Sequence, residues 1–309
     1  MKIVAVEPIG ITPSLAEEIA KDFAVDGHSF VCFPDRNENP DVLAQRIADA
    51  EVVIISNIKL SAAILSQCPN LKFLAVAFTG LDHIDLDYCK AHHIEVVNAA
   101  GYATTAVAEL AIGLMIDVYR KITALDKATR QLKNRRNFLG REISGKTVGI
   151  VGTGAIGRKT AELLQCFGCH ILAWNRTRYA ELESDTFKYV PLDELMRESD
   201  IISLHVPLTK ETHHLIDAQK LSLCKSGAIL INTARGNVVD MDALAMALKE
   251  QRLAGAGIDV YEVEPPLPAT QALFSAPNCV MIPHVGYATR EAFDIRIDII
   301  LGKIRRYLK

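Results

Sequence analysis

Short apolar runs rich in β-branched residues recur along the chain at 2–6, 28–33, 52–56, 72–77 and 94–97. The segments between them, such as 14–21 and 41–48, alternate polar and apolar residues in a helical rhythm. Near-continuous apolar strands joined by helical crossovers predict a parallel sheet covered on both faces. The series then restarts, with strands expected at 147–151, 170–174, 201–205, 228–232, 255–260 and 280–282. One long helical stretch, 104–132, divides the two series. In it Val107, Leu110, Ala111, Leu114, Met115 and Val118 follow the i, i+3, i+4, i+7 spacing of an apolar stripe. Thr104 or Thr105 is the expected N-cap, and Glu109 comes early enough to favour the positive helix end. The tail, 289–309, also reads as helix and has no strand partner of its own, so it could lie back against the first lobe.

Composition narrows the class. A chain of 309 residues suggests about two domains. Half the residues are hydrophobic and the formal net charge is -3, which excludes a disordered chain and a strongly basic nucleic-acid surface. The basic stretch at 130–146 therefore reads as a surface connection. No apolar run approaches the roughly 18 residues that a membrane span needs, and the N-terminus lacks a signal peptide's apolar core. The seven cysteines are odd in number and scattered, which argues against a disulfide framework and for a reduced, cytoplasmic protein. The pair Cys166 and Cys169 has no second pair to complete a zinc site and reads as core packing.

The sharpest local signal is Gly152-Thr153-Gly154-Ala155-Ile156-Gly157, set after a strand and opening a helix. Gly152 suits a tight turn, Gly154 a close approach of backbone to pyrophosphate, and Gly157 close helix–strand packing. The helix N-terminus would offer its free N–H groups to the phosphates. The adenosine ribose is met at the end of the next strand, about 20 residues on. Asn175 stands there, followed by Arg176, Thr177 and Arg178. A neutral amide removes the repulsion that a carboxylate would exert on a 2′-phosphate, and guanidiniums pair with one. NADP(H) is therefore the favoured cofactor, with NAD(H) the alternative.

Further stretches accompany the fingerprint. They are Thr79-Gly80-Leu81-Asp82, Val107-Ala108-Glu109-Leu110, the run from Ile231 through Arg235 to Asp240, Gly257-Ile258-Asp259 through Glu264, and Pro283-His284-Val285-Gly286. Together they resemble the D-isomer-specific 2-hydroxyacid dehydrogenase family over essentially the whole chain. The resemblance implies two Rossmann-like, doubly wound parallel-sheet lobes with the active site in the cleft between them. It implies a discontinuous substrate-binding domain at 1–98 plus 285–309, and a dinucleotide-binding domain at 99–284. It also implies a homodimer through the region after Thr104.

The resemblance assigns the chemistry residue by residue. Reduction of a 2-oxo acid needs a cation for the carboxylate and carbonyl, a proton donor and a hydride donor. Arg235 fits the first role with its planar fork. His284 fits the second, since imidazole gives and takes a proton near neutrality. Glu264 would hydrogen-bond the ring and fix its orientation. The family's formate dehydrogenases carry Gln in place of this Glu, so the Glu264–His284 pair argues for hydroxy-acid chemistry. Thr79, Gly80 and Leu81 should offer backbone N–H groups to the substrate carboxylate. Asp259 should meet the nicotinamide carboxamide. Ala155, Ile156, Val206, Pro207, Thr233 and Ala234 should line the cofactor, and Thr105 is a phosphate candidate. His83, His92, His93, His213 and His214 read as surface or packing residues.

The short first lobe and the 175–177 segment resemble the glyoxylate/hydroxypyruvate reductase branch, which points to small 2-oxo acids. A short-type phosphoglycerate dehydrogenase is the alternative, although Lys59 is the only obvious extra cation near a first-lobe strand end. A dinucleotide-sensing, corepressor-like binding protein is the alternative from another class. A tyrosine-dependent short-chain reductase is excluded because no tyrosine has Lys four residues on.

Overall fold

A computed structural model describes residues 1–135, 138–264 and 266–309. Arg136 and Asn137 of the basic connection, and Pro265 after Glu264, lie outside the described residues. The elements run in the order β1 (Lys2–Ala5), α1 (Pro13–Val25), β2 (Ser29–Cys32), α2 (Pro40–Ile47), β3 (Val52–Ile55), α3 (Ala62–Leu65), β4 (Phe73–Val76), α4 (Leu86–Ala91) and β5 (Glu95–Asn98). Then follow α5 (Thr104–Arg120), α6 (Ile122–Arg130), β6 (Thr147–Val151), α7 (Ala155–Cys166), β7 (His170–Trp174), β8 (Phe187–Tyr189), α8 (Leu192–Glu198) and β9 (Ile201–Leu204). The chain ends with α9 (Ala218–Ser222), β10 (Ile229–Asn232), α10 (Met241–Lys249), β11 (Gly255–Ile258), β12 (Cys279–Met281) and α11 (Arg290–Leu308). These elements form two compact units, Met1–Ala103 with Thr289–Lys309, and Thr104–Ala288.

The first unit holds a five-stranded sheet in the order β2-β1-β3-β4-β5, parallel throughout. Its central strands β3 and β4 are buried along their whole length, which is why Val52–Ile55 and Phe73–Val76 are apolar at every position instead of alternating. Helix starts are set by local chemistry. The Thr12 side chain accepts from Leu15 N–H before Pro13, and Asn39 does the same for Asp41 and Val42 before Pro40. The tail forms α11, capped by Thr289, and lies in this unit. Its Ile297, Ile300 and Ile304 are buried, Lys303 Nζ donates to the Asn98 carbonyl at 2.7 Å, and Tyr307 stacks on Phe73 with ring centroids 4.4 Å apart.

The second unit holds a seven-stranded parallel sheet in the order β12-β11-β10-β9-β6-β7-β8. Strand order reverses between β9 and β6, the topological switch point where doubly wound sheets bind ligands. Helix α5 buries Val107 and turns Ala111, Leu114, Met115 and Val118 into this unit's own core, so the stripe read in the sequence serves intramolecular packing.

Three expectations need correction here. The helical stretch at 104–132 is two helices, because Lys121 adopts a left-handed conformation (φ 51°) that breaks the hydrogen-bond ladder between α5 and α6. The first of them begins at Thr104, so both threonines lie inside its first turn and do not cap it. Cys169 is buried and its thiol reaches the Ile143 carbonyl at 3.1 Å, but Cys166 is exposed at the end of α7 and packs in no core. The edge strand β8 was not anticipated.

Met115 is fully buried beneath the second sheet. Met115→Ala is expected to cost about 2–5 kcal/mol of unfolding free energy. A denaturant titration should show the midpoint falling at unchanged slope.

Candidate active site

Most of the expected residues gather at the carboxyl ends of the second sheet's strands. At the end of β6, Gly152 takes φ 102°, a conformation that a side chain resists. A Cβ at Gly157 would lie 1.9 Å from the Gly152 carbonyl oxygen, so the first turn of α7 can pack onto the β6 turn only with glycine there. At Gly154 the result is opposite: a Cβ would meet nothing within 4 Å. The backbone there faces open space, as an approaching pyrophosphate requires. Arg158 N–H donates to the Gly154 carbonyl at 2.9 Å and starts the helical ladder. The N–H groups of Ala155, Ile156 and Gly157 in the first turn precede that ladder and suit an anion. These features fit a dinucleotide.

Beyond β7, the Asn175 amide donates to the Thr177 carbonyl at 2.7 Å, which folds the loop on itself and leaves Arg176, Thr177 and Arg178 exposed. Beyond β9 come His205, Val206 and Pro207. The backbone of His205 packs against Gly152, and burial pushes its imidazole down to about 4. That ring is neutral at physiological pH and holds the Ser203 hydroxyl at 2.9 Å. Thr105 is exposed in the first turn of α5.

The end of β10 carries Thr233, Ala234 and Arg235. Sequence reading passed over Asn232, which is fully buried and braces this turn. Its Nδ2 donates to the Arg235 carbonyl at 3.0 Å and its Oδ1 accepts from Ala234 N–H at 3.0 Å. A buried polar residue closing a strand is the signal that marks it. Gly236 lets the turn close, since a Cβ there would lie 1.9 Å from the Tyr261 carbonyl carbon. The Arg235 side chain, half-buried, bonds the Ala234 carbonyl at 2.8 Å.

His284 follows β12 and takes φ 53°. Its Nδ1 lies 2.9 Å from Glu264 Oε2, and its ring meets Tyr287 edge-on with centroids 5.8 Å apart. Both side chains stay partly exposed, at 33% and 49%. A carboxylate at Nδ1 leaves Nε2 as the nitrogen that can exchange a proton with a ligand. Asp259, expected at the nicotinamide, sits 1% exposed beneath the same loop. Its oxygens accept from Val285 N–H at 2.7 Å and Gly286 N–H at 2.9 Å. Burial pushes its carboxyl up, against the lowering effect of these two N–H groups and of His284. Nearby, His214 lies 3.5 Å from Glu262 and stacks on His213.

Thr79, Gly80 and Leu81 belong to the first unit, in the loop after β4. Asn98 Nδ2 donates to the Thr79 carbonyl at 2.7 Å, and Ala99 N–H to the Phe78 carbonyl at 2.9 Å, so the loop's carbonyls are tied to the neighbouring chain. No group of three or more His, Cys, Asp or Glu among the described residues could hold a metal ion.

Residues 112–286 match the family model described as D-isomer specific 2-hydroxyacid dehydrogenase, NAD binding domain. The chain is also 41% identical over 273 residues to a glyoxylate reductase of Thermococcus litoralis, covering 85% of this chain and 82% of that protein. The chain belongs to the D-isomer specific 2-hydroxyacid dehydrogenase family. The dehydrogenase is 40% identical to a hydroxypyruvate reductase of Thermotoga maritima over 256 residues, 82% of this chain and 83% of the relative. It also superposes on an acyclic imino acid reductase solved with NADPH and D-Arg, at a TM-score of 0.89 and 30% identity, covering 100% and 97% of the two chains. The dehydrogenase is thus an oxidoreductase acting on CH–OH groups with a nicotinamide cofactor.

Asp259→Asn should loosen the His284 loop, because one of its two acceptors becomes an amide donor facing a backbone N–H. A loss of about 1–3 kcal/mol is expected for the unsatisfied group. Calorimetry should show a lower melting temperature, and turnover should fall with it.

Proposed function

We propose that the chain reduces small 2-oxo acids to D-2-hydroxy acids, with glyoxylate and hydroxypyruvate its first substrates and NADPH preferred over NADH. The observation that carries this reading is the His284–Glu264 pair at 2.9 Å, set with Arg235 at the carboxyl ends of a dinucleotide-binding sheet. The names of the relatives support the substrates: one is a glyoxylate reductase, the other a hydroxypyruvate reductase. The exposed Arg176 and Arg178 beside the neutral Asn175 support NADPH.

The bound nicotinamide supplies the hydride. Arg235 holds the substrate carboxylate and carbonyl oxygen through its planar fork and stabilises the charge that develops on that oxygen. His284 gives its Nε2 proton to the carbonyl oxygen as the hydride arrives at carbon, and Glu264 holds the ring through Nδ1. The product is the 2-hydroxy acid, and His284 is reprotonated from solvent.

The seven cysteines are all free, which suits a reducing cytoplasm. A homodimer through the region after Thr104 fits α6, which buries none of its side chains and exposes Ile122.

Absorbance at 340 nm tests the reading directly, with glyoxylate, hydroxypyruvate, pyruvate and 3-phosphohydroxypyruvate each offered with NADPH and NADH. Fast oxidation with the first two is expected. No oxidation with any of them, in protein that binds the cofactor, would overturn the reading. His284→Ala should cut kcat by about 10²–10⁴-fold while cofactor binding survives. Arg235→Ala should weaken oxalate, a planar substrate mimic, and an unchanged oxalate affinity would remove Arg235 from the carboxylate site.

A further inference from the structure

Gly152 and Gly154 flank a residue that the solvent does not touch. Thr153 is 0% exposed, although it stands in the turn that the fingerprint offers to a ligand. Its hydroxyl lies 2.9 Å from the hydroxyl of Tyr189, itself 7% exposed. A buried hydroxyl must find a partner, and each of these finds the other. Tyr189 ends β8, the short edge strand, and the sheet order β6-β7-β8 sets β7 between the two partners. On β7 the residue paired with Tyr189 is Ala173, which pairs in turn with Ile150 on β6. A methyl group at that position gives the tyrosine room to reach across β7 to the turn after β6. Phe187, on the same buried face of β8, meets the Tyr189 ring edge-on with centroids 5.4 Å apart and limits where that ring can go.

The contact bears on the cofactor through what it prevents. Helix α7 starts with Gly154 as its N-cap, and no side chain caps it. Threonine is among the residues whose hydroxyl readily accepts from first-turn N–H groups. With its hydroxyl held by Tyr189, Thr153 leaves the N–H groups of Ala155, Ile156 and Gly157 to an anion. The same bond pins the Thr153 side chain inward, while the next residue, Gly154, faces open space. We propose that Tyr189 is a positioning residue for the cofactor, whose hydroxyl, through Thr153, holds the turn between Gly152 and Gly154 in the form that binds the pyrophosphate. Strand β8 is then the strut that carries this hydroxyl to the turn. The inference rests on nicotinamide-dinucleotide binding alone, and not on the substrates or the NADPH preference proposed above. The pyrophosphate is common to NADH and NADPH, so the contact acts on both alike.

The test uses the full chain as wild type, Tyr189→Phe, Thr153→Val, Thr153→Ser and the double variant Tyr189→Phe/Thr153→Val. NADH and NADPH are titrated by nucleotide fluorescence, and melting temperatures are measured without cofactor. Loss of one neutral hydrogen bond is expected to raise both dissociation constants about three- to tenfold in Tyr189→Phe and in Thr153→Val. The ratio of the two constants should stay at its wild-type value. Thr153→Ser keeps the hydroxyl and should keep wild-type affinity. The double variant should bind no more weakly than either single one, because the two hydroxyls act as a unit. Tyr189→Phe retains the ring, so it carries the test together with Thr153→Ser if Thr153→Val does not fold. A lower melting temperature with unchanged dissociation constants would make the bond a purely structural one and overturn the inference. Additive weakening in the double variant, or weakening by Thr153→Val without weakening by Tyr189→Phe, would overturn it as well. Wild type that binds neither nucleotide would overturn dinucleotide binding itself, and the inference with it.

Discussion

The geometry around His284 depends on one buried carboxylate. His284 takes a left-handed backbone conformation that costs a non-glycine residue about 1–2 kcal/mol. Asp259 offsets that cost by accepting the next two N–H groups, Val285 and Gly286, on its two oxygens. Hydrogen bonds to a charged group contribute about 1.5–3 kcal/mol each, enough to hold the loop in its strained form. Burial works against the arrangement by pushing the Asp259 carboxyl up, so the two N–H bonds are what keep the carboxylate viable there. The loop and the carboxylate each need the other. Their joint product is an imidazole held in one orientation, with Nδ1 met by Glu264.

The sheet makes this interdependence possible. In a parallel sheet every strand delivers its carboxyl end to the same edge, so residues far apart in sequence converge there. Gly152 after β6, His205 after β9, Arg235 after β10 and Asp259 after β11 all arrive by this route. Each then depends on a turn shaped by sterics. Gly157 can approach the Gly152 carbonyl, and Gly236 the Tyr261 carbonyl, only without a Cβ. The glycines thus do two jobs: they set the strand-end turns, and at Gly154 they leave a surface open to a ligand.

The strands and the fingerprint were legible in the sequence because both are local. An apolar run such as Val52–Ile55 needs no partner to announce that it is buried on two sides, and the spacing of Gly152, Gly154 and Gly157 reports a turn within six residues. What was not legible depends on distant partners or on a single torsion. Nothing in a lysine announces that Lys121 will turn left-handed and split the long helix. Strand β8, three residues at a sheet edge, is too short to show a pattern. The bond from Asp259 to the loop at 285–286 spans 26 residues of chain and carries no periodicity. Motif resemblance found Asp259 as a residue of interest and assigned it to the nicotinamide. Its geometry adds a task that no motif encodes.

Asn232 and Arg158 mark the two ways in which local reading falls short. Asn232 obeys a rule seen only in three dimensions: a fully buried amide must have its donors and acceptor met, and the turn carrying Arg235 is what meets them. Replacing that amide would release the turn before it touched the guanidinium itself. Arg158 breaks a rule visible in one dimension, a cation in the first turn of a helix, and only the fold shows the Tyr179 ring 5.1 Å from it. The first residue stabilises what the sheet has assembled. The second owes its position to a contact that its own helix does not supply, the Tyr179 ring on the loop after β7.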